Sequence, residues 1–459
     1  MAIISNLKDL AKNSLREKAL EIAEAGYEAI DIEQSIKSRI RIENNFLKIT
    51  THPAITSDSS GKLQQKEFIE INFNNFKRIF LVGIGKGSAF ASAMLAKILG
   101  DKLTGGIVLD KENNNDEYRQ ILRSFESLPL QIFEGTHPYP SLKNLEATRK
   151  IVELAESLDE NDLLINFICG GGSALACATE EELTGSQVAI KSLTKAGANI
   201  VELNTLRKHL SKIKGGGLAK MACPARVVSL IVSDVCGNDL SVVSSGPTVF
   251  DKTTKEDAED ILKKYGLDIK DFHLYETPKE KECFEKVKNI LFVCNQDAIM
   301  AMAQKAEEFG FSGRIYSLAL EGEAMNVIYP MIKEIKNNEA LLTAGETTVN
   351  LKNRPPGKGG RNMEAVLGAL VKLQTMDDDG ANLVFMSFAS DASDNTEAAG
   401  AIGDSLTLKK AKEFSMDPEK FLYDNQAFAF FEKTGDLIFA EKKCFNVADL
   451  MLALKASKE

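Results

Sequence analysis

The stretch Arg78-Ile79-Phe80-Leu81-Val82-Gly83-Ile84-Gly85-Lys86-Gly87-Ser88 decides the fold. Its first five residues are a mostly apolar run of strand length, its glycines mark a tight turn, and residues 89–99 continue as an Ala- and Leu-rich helical pattern. The same alternation recurs downstream. Apolar runs at 106–109, 163–169 and 227–232 are separated by helical stretches such as 145–158, and strands spaced by helices favour a parallel sheet covered on both faces. Upstream, apolar residues at helical spacing from 7 to 47 predict two surface helices leading into this first domain, and 50–65 reads as an irregular loop. Between 250 and 288 the sequence turns charged and keeps one helix-like segment at 255–264, which places a domain boundary there. Strand-like runs resume at 289–294, 314–318, 340–343 and 383–387, so the fold class is α/β with a second α/β domain. No repeat of fixed period is present, and 377–380 is a short acidic turn.

Composition bounds the function. The 459 residues carry 56 Lys plus Arg against 66 Asp plus Glu, a formal charge of −10, with 44% hydrophobic and 27% charged residues. At roughly 150 residues per domain there is length for two or three large cores, which excludes a miniprotein, a fibre and a disordered tail. The acidic balance argues against nucleic acid as a partner, because phosphate-backbone affinity needs an excess of Lys and Arg. Seven cysteines without a Cys-x-x-Cys pair read as reduced thiols, and four histidines leave little for a His-based metal site. The N-terminus lacks the apolar core of a signal peptide, and no apolar run approaches the ~20 residues that span a bilayer. The expected location is cytoplasmic, with no membrane partner.

Open parallel sheets bind ligands beyond the carboxyl ends of their strands, so the loops that leave those ends matter most. The first strand runs into Gly83, Gly85, Lys86, Gly87 and Ser88, where amides at a helix start suit a phosphate or carboxylate. This loop is not a Walker A loop and lacks the third glycine of the dinucleotide fingerprint; a glycine turn packing strand on helix is the plainer reading. Gly170-Gly171-Gly172-Ser173 is a second such junction, and Leu175 stands where a hydrolase elbow needs glycine. The run from Asn204 through Arg207, Lys208 and His209 to Lys212 and Lys214 is densely positive, suited to small anions or to a solvated helix face. Asp234, Asn238 and Asp239 come after the fourth strand, where a carboxylate serves to hold Mg²⁺, to accept a hydroxyl proton or to cap a helix. In the second domain Gly345-Glu346 precedes Gly359-Gly360-Arg361-Asn362 at a helix start, and Asp391 and Asp394 come after the strand at 383–387. An Arg in a glycine-rich helix start suits a charged ligand. Anion-binding loops with Lys86 and Arg361, together with strand-end carboxylates, are equipment for phosphoryl transfer.

These residues also resemble a known family, the ATP-dependent glycerate kinases of the second type, glycerate 2-kinases, whose C-terminal half is the MOFRL domain. The resemblance covers most of the chain. It rests on Gly83-Ile84-Gly85-Lys86, Gly135-Thr136-His137-Pro138, Cys169 to Leu175, Asn204 to Lys214, Ser233-Asp234-Val235 with Ser245-Gly246-Pro247, Gly345-Glu346-Thr347, Gly360-Arg361-Asn362 and Ala399-Gly400-Ala401-Ile402. It implies two domains around a cleft: a Rossmann-like parallel sheet with helices on both faces at 1–285, and a smaller α/β MOFRL domain at 286–459 whose last helix packs back on the first. The implied reaction moves the γ-phosphoryl group of ATP to the 2-hydroxyl of D-glycerate with Mg²⁺. Lys86, Arg361 and Asp234 are the implied catalytic residues, with Asp234 and Asp391 for the metal. Gly83, Gly85, Gly87, Ser88, Gly170, Gly171, Gly172, Ser173, Arg207, Lys214, Asn238, Asp239, Glu346, Gly360, Asn362 and Asp391 would bind nucleotide or substrate. The partners are then D-glycerate and ATP, and a homodimer is left open. The chain departs from the family pattern at Asn238, where an acidic residue is usual, at 391–395, and in its Pro355-Pro356 doublet.

Two other readings compete. Asp110, at the end of the strand after the first glycine loop, imitates a nicotinamide site and would make the protein a hydroxypyruvate reductase using NAD(P)H. A non-enzymatic sensor of phosphorylated metabolites would need only the anion cradles.

Overall fold

The computed structural model describes residues 2–51, 68–113, 116–351, 357–375, 382–443 and 445–457. The Pro355-Pro356 doublet, the acidic turn at 377–380 and most of the loop expected at 50–65 lie outside the described residues. The chain divides into two compact units, Ser35–Val293, and Met1–Gln34 with Cys294–Glu459.

The unit Ser35–Val293 is built on a six-stranded sheet. Its strands are β4 (Arg78–Ile84), β5 (Gly105–Lys111), β6 (Leu130–Gly135), β7 (Asp162–Ile168), β8 (Arg226–Val232) and β9 (Val287–Val293), in the order β6-β5-β4-β7-β8-β9. Every pairing is parallel. The strand order reverses between β4 and β7, the place where sheets of this doubly wound kind take ligands. β7 is buried at all seven positions, so both faces of the sheet are covered. On one face Val82, Ile84, Leu109, Leu164 and Val227 pack with Ile151 of the helix Leu142–Glu156 and Leu218 of the helix Gly217–Ala222. A small antiparallel sheet of β1 (Ile40–Glu43), β2 (Phe46–Thr50) and β3 (Phe68–Asn72) precedes it.

The unit Met1–Gln34 with Cys294–Glu459 holds a mixed sheet in the order β10-β11-β15-β12-β13-β14. The strands are β10 (Ser312–Glu323), β11 (Glu339–Thr348), β12 (Leu383–Ala389), β13 (Gly400–Asp404), β14 (Leu437–Ile438) and β15 (Asp449–Lys455). β10 and β11 run parallel, and the remaining pairs are antiparallel. Helices Ala324–Glu334 and Arg361–Leu373 cover it through Ile328, Met331, Val366 and Leu370.

Three expectations about organisation differ from the structure. The run read as opening the second domain at 286 is β9, which pairs with β8 in the first sheet. The first helical pattern splits: Ser14–Ala29 belongs to the mixed-sheet unit, because buried Arg16 donates to both oxygens of Asp404 and to Asp436, each at 2.7 Å. Near 40 the pattern turns into strand, where Ile40 and Ile49 face each other across β1 and β2. Finally, the chain closes on a strand and not a helix, since β15 sits between β11 and β12 with its first six residues buried. Among the described residues no helix is long and apolar enough to cross a membrane.

Candidate active site

The first glycine junction is already filled. Asp110, at the end of β5, accepts hydrogen bonds from the amides of Gly87 and Ala89 at the start of the helix Ser88–Leu99, both at 2.9 Å. Its carboxylate therefore takes the position an external anion would take at that helix start. The Lys111 amide and the Tyr118 hydroxyl complete the coordination, at 2.6 and 2.9 Å. Burial pushes the Asp110 carboxyl up to about 6, against these four donors. The glycines of this loop serve close packing. A Cβ on Gly83 would lie 2.4 Å from Ser92 Oγ, and one on Gly85 would lie 2.3 Å from the Cys169 carbonyl oxygen.

The second junction is open. The loop after β7 starts a short helix, Gly172–Leu175, with no side-chain cap, so its leading amides have no partner within the helix. They border a cavity of about 420 Å³ lined by His137, Gly171, Ser173, Arg207, Lys214 and Asp234, among others. At the strand crossover the Lys86 amide donates to the Gly170 carbonyl at 3.0 Å. The Lys86 side chain then runs along Gly171, its Cε 3.0 Å from where a Cβ would stand. Asp234 lies against Gly170 so closely that a Cβ there would meet its Oδ2 at 1.8 Å. Only glycine admits both the lysine and the carboxylate at this strand end.

A strained loop braces the cavity from below. Ser244, Ser245 and Gly246 are consecutive left-handed residues with φ of 50°, 57° and 58°. Ser244 Oγ donates to the Cys169 carbonyl at 2.6 Å, and the hydroxyls of Ser173 and Ser245 are 2.9 Å apart. The carbonyls of Ser245 and Gly246 accept from the amides of Gly215 and Gly216, which fixes Lys214 in its turn. Lys214 is buried and pairs with buried Glu182 at 2.5 Å. Burial, reinforced by Lys86 and Lys111, pulls His137 down to about 4, so its imidazole is neutral at pH 7. Burial and then Glu182 push the Cys177 thiol up to about 12, which leaves it inert as a nucleophile.

The mixed-sheet unit has a charged cluster of its own. Arg361 opens the helix Arg361–Leu373 and donates from Nε to Asp449 at 2.5 Å and from Nη1 to Glu346 at 2.6 Å. Burial works against its charge, yet Asp449 and Glu346 hold the guanidinium above its ordinary value. Asp394 caps the same helix, accepting from the amides of Asn362 at 3.2 Å and Met363 at 2.9 Å. Burial raises Asp394 to about 6, and burial likewise raises Asp449. Asn362 is locked between Asp394, Asp449 and Ser387.

Known proteins are similar to this chain. Residues 18–274 match a domain of unknown function, DUF4147, and residues 339–449 match the MOFRL family. The D-glycerate 2-kinase of Thermotoga maritima is 34% identical over 83% of this chain and 91% of its own length. The chain belongs to the glycerate 2-kinase family. A crystal structure of glycerate kinase from Thermotoga maritima superposes with a TM-score of 0.77 at 30% identity, covering 96% of this chain and all of that one. A protein of Agrobacterium vitis that carries the provisional name hydroxypyruvate reductase is 34% identical over 82% of this chain and 87% of its own.

Of the residues that the glycerate 2-kinase resemblance singles out, the structure gathers some and scatters others. Gly171, Ser173, Arg207, Lys214 and Asp234 line one cavity, with Lys86, Gly170 and Gly172 against it. Gly83, Gly85, Gly87 and Ser88 form the turn that Asp110 closes, and Ser88 is fully buried. Asn238 and Asp239 sit in the following loop outside the cavity lining, where Asp239 accepts from the Ser241 amide at 2.8 Å. Glu346, Gly360, Arg361 and Asn362 cluster around Asp449 and Asp394. Asp391 forms a turn of its own, accepting from the Ser393 amide at 3.1 Å. Sequence reasoning missed Asp449 and Glu182, and it quoted His137 without giving it a role. His137 alone had a signal, its place beside Pro138 after a strand.

Proposed function

We propose that this protein transfers the γ-phosphoryl group of ATP to the 2-hydroxyl of D-glycerate, giving 2-phosphoglycerate and ADP. The observation that carries the reading is the open helix start at Gly171–Ser173, bordered by Lys86, Arg207 and Asp234. Helix-start amides and a lysine supply the fixed positive potential that phosphoryl transfer needs, since the protein's part there is positioning and charge neutralisation. The 2-hydroxyl oxygen forms the new bond to phosphorus as the bond to the departing ADP oxygen breaks, and the hydroxyl proton is released to water. Lys86 neutralises charge on the transferred group. In the mixed-sheet unit Arg361, oriented by Asp449 and Glu346, is the cation that the family resemblance assigns to catalysis.

Among the described residues no three His, Cys, Asp or Glu side chains converge as a metal cage. Magnesium carried in with a nucleotide needs one or two protein carboxylates besides phosphate oxygens and water. Asp234, pressed against Gly170 at the open strand end, is the carboxylate to hold it. A magnesium ion held there would offset phosphate charge.

The reductase reading is weaker on a specific point. A dinucleotide would place its pyrophosphate at the helix start of the first glycine loop, and Asp110 occupies those amides. The test is direct: purified protein with Mg²⁺, ATP and D-glycerate should form ADP in step with phosphorylated product, whereas NAD(P)H oxidation with hydroxypyruvate and no ADP formation would select the reductase.

A further inference from the structure

Four arginines of this chain are tied to carboxylates. Arg16, Arg78, Arg314 and Arg361 are each held by a carboxylate at 2.5 to 2.7 Å. Arg207 departs from that pattern. It lies in the helix Ile200–His209, half-buried, and lines the cavity beside the open glycine junction. Among the described residues it makes no ion pair and no side-chain hydrogen bond, and burial alone acts on its charge, lowering its hold on the proton. A desolvated guanidinium without a partner costs stability, and a fold retains one where an anionic ligand completes it.

The charges around the cavity decide which anion fits. Lys214 is cancelled by Glu182 at 2.5 Å, and His137 is held neutral. Lys86, the cation lying against Gly171, is the one assigned above to the transferred phosphoryl group. Among the described residues that line the cavity this leaves Arg207, a single positive charge that matches a monocarboxylate and falls well short of a triphosphate. The planar guanidinium fork pairs two-to-two with a carboxylate. The hydroxyl-bearing side chains Ser173 and Ser244 line the same cavity and offer donors and acceptors to a hydroxylated ligand.

We propose that Arg207 anchors the carboxylate of the glycerate substrate in this cavity and is the residue that makes the enzyme demand a hydroxy acid in place of a neutral polyol. This inference rests on the phosphoryl-transfer function proposed above. The partition it assigns is definite: the cavity under Arg207 takes the acid, and the nucleotide makes no contact with Arg207.

The experiment compares Arg207→Met and Arg207→Lys with the wild type in steady-state kinetics on D-glycerate, ATP and glycerol. Arg207→Met should raise KM for D-glycerate by about 10- to 100-fold, the range for losing a charge-assisted pair, while KM for ATP stays at its wild-type value. The preference for D-glycerate over glycerol should shrink by the same factor. Arg207→Lys keeps the charge without the fork and should recover part of the loss, a pattern that mere structural damage does not produce. If the methionine variant fails to fold, the lysine variant carries the test alone, through a raised KM for D-glycerate with that for ATP unchanged. Wild-type turnover of D-glycerate with KM unmoved in the variants, or with KM for ATP raised instead, would overturn the inference and leave the function standing. A wild-type enzyme inactive on D-glycerate would overturn the function and this inference with it.

Discussion

Arg361 is held by Asp449 through two hydrogen bonds, Nε to Oδ2 at 2.5 Å and Nη2 to Oδ1 at 3.3 Å, so the cation is fixed by a buried carboxylate 88 residues away. Asp449→Asn keeps the shape and withdraws the charge. It should lower kcat by about 10-fold and unfolding free energy by about 1–2 kcal/mol, since Arg361 keeps Glu346 but loses its buried partner. Arg361→Ala should lower kcat by about 10²–10³. Kinetics and urea unfolding check both, and wild-type turnover in Asp449→Asn would mean that Arg361 works without being fixed.

Gly170 is the tightest point of the site. Gly170→Ala would put a methyl group 1.8 Å from Asp234 Oδ2, so the carboxylate must move. The expected result is a loss of about 10-fold or more in kcat together with a higher half-saturating magnesium concentration. A variant with the wild-type magnesium titration would take Asp234 out of the metal role.

The two glycine junctions should respond differently to mutation. Asp110→Asn swaps one acceptor oxygen for a donor facing the amides of the helix Ser88–Leu99, so it should cost about 1–2 kcal/mol of stability. KM for ATP should stay unchanged, because that junction is closed to ligands. Lys86→Ala should do the reverse, with kcat down by about 10²–10³ and thermal unfolding close to wild type. A large rise in KM for ATP in Asp110→Asn would reopen the first loop as a phosphate site.

His137 sets a pH dependence whose sign is fixed by its burial. Its folded-state pKa is about 4 against an ordinary 6.5, so across that window the unfolded chain binds the extra proton. The contribution is fully present above about 6.5 and is lost as pH falls through about 4. Asp110 runs the other way, raised from 3.8 to about 6, and contributes stability that is lost as pH rises through about 6. Thermal unfolding of His137→Gln minus wild type isolates the first effect: the variant should lose less stability than the wild type between pH 6.5 and 4. Parallel curves would mean that His137 is protonated in the fold.

Much of the parallel sheet was legible because its strands are continuous apolar runs. The runs at 78–82, 106–109, 163–169 and 227–232 fall on β4, β5, β7 and β8. β15 was not legible, since the Leu- and Ala-rich Asp449–Lys455 carries no pattern that separates a doubly buried strand from a helix, and its neighbours β11 and β12 decide the matter. The glycines and cations of the site were visible as types, but their partners were not. That Asp110 closes the first loop and that Asp449 holds Arg361 are long-range pairings, which one-dimensional spacing does not encode. Arg207 shows the same limit in reverse, because its lack of a partner is a fact of three dimensions.

Transfer of phosphate to the 2-hydroxyl of D-glycerate is reported most directly by its product. The purified protein is incubated with Mg²⁺, ATP and D-glycerate, and the product is offered to enolase without a phosphoglycerate mutase. Phosphoenolpyruvate forming at once would identify 2-phosphoglycerate, the result expected here. ADP formation with no phosphoenolpyruvate until a mutase is added would place the phosphate on the 3-hydroxyl and contradict that assignment.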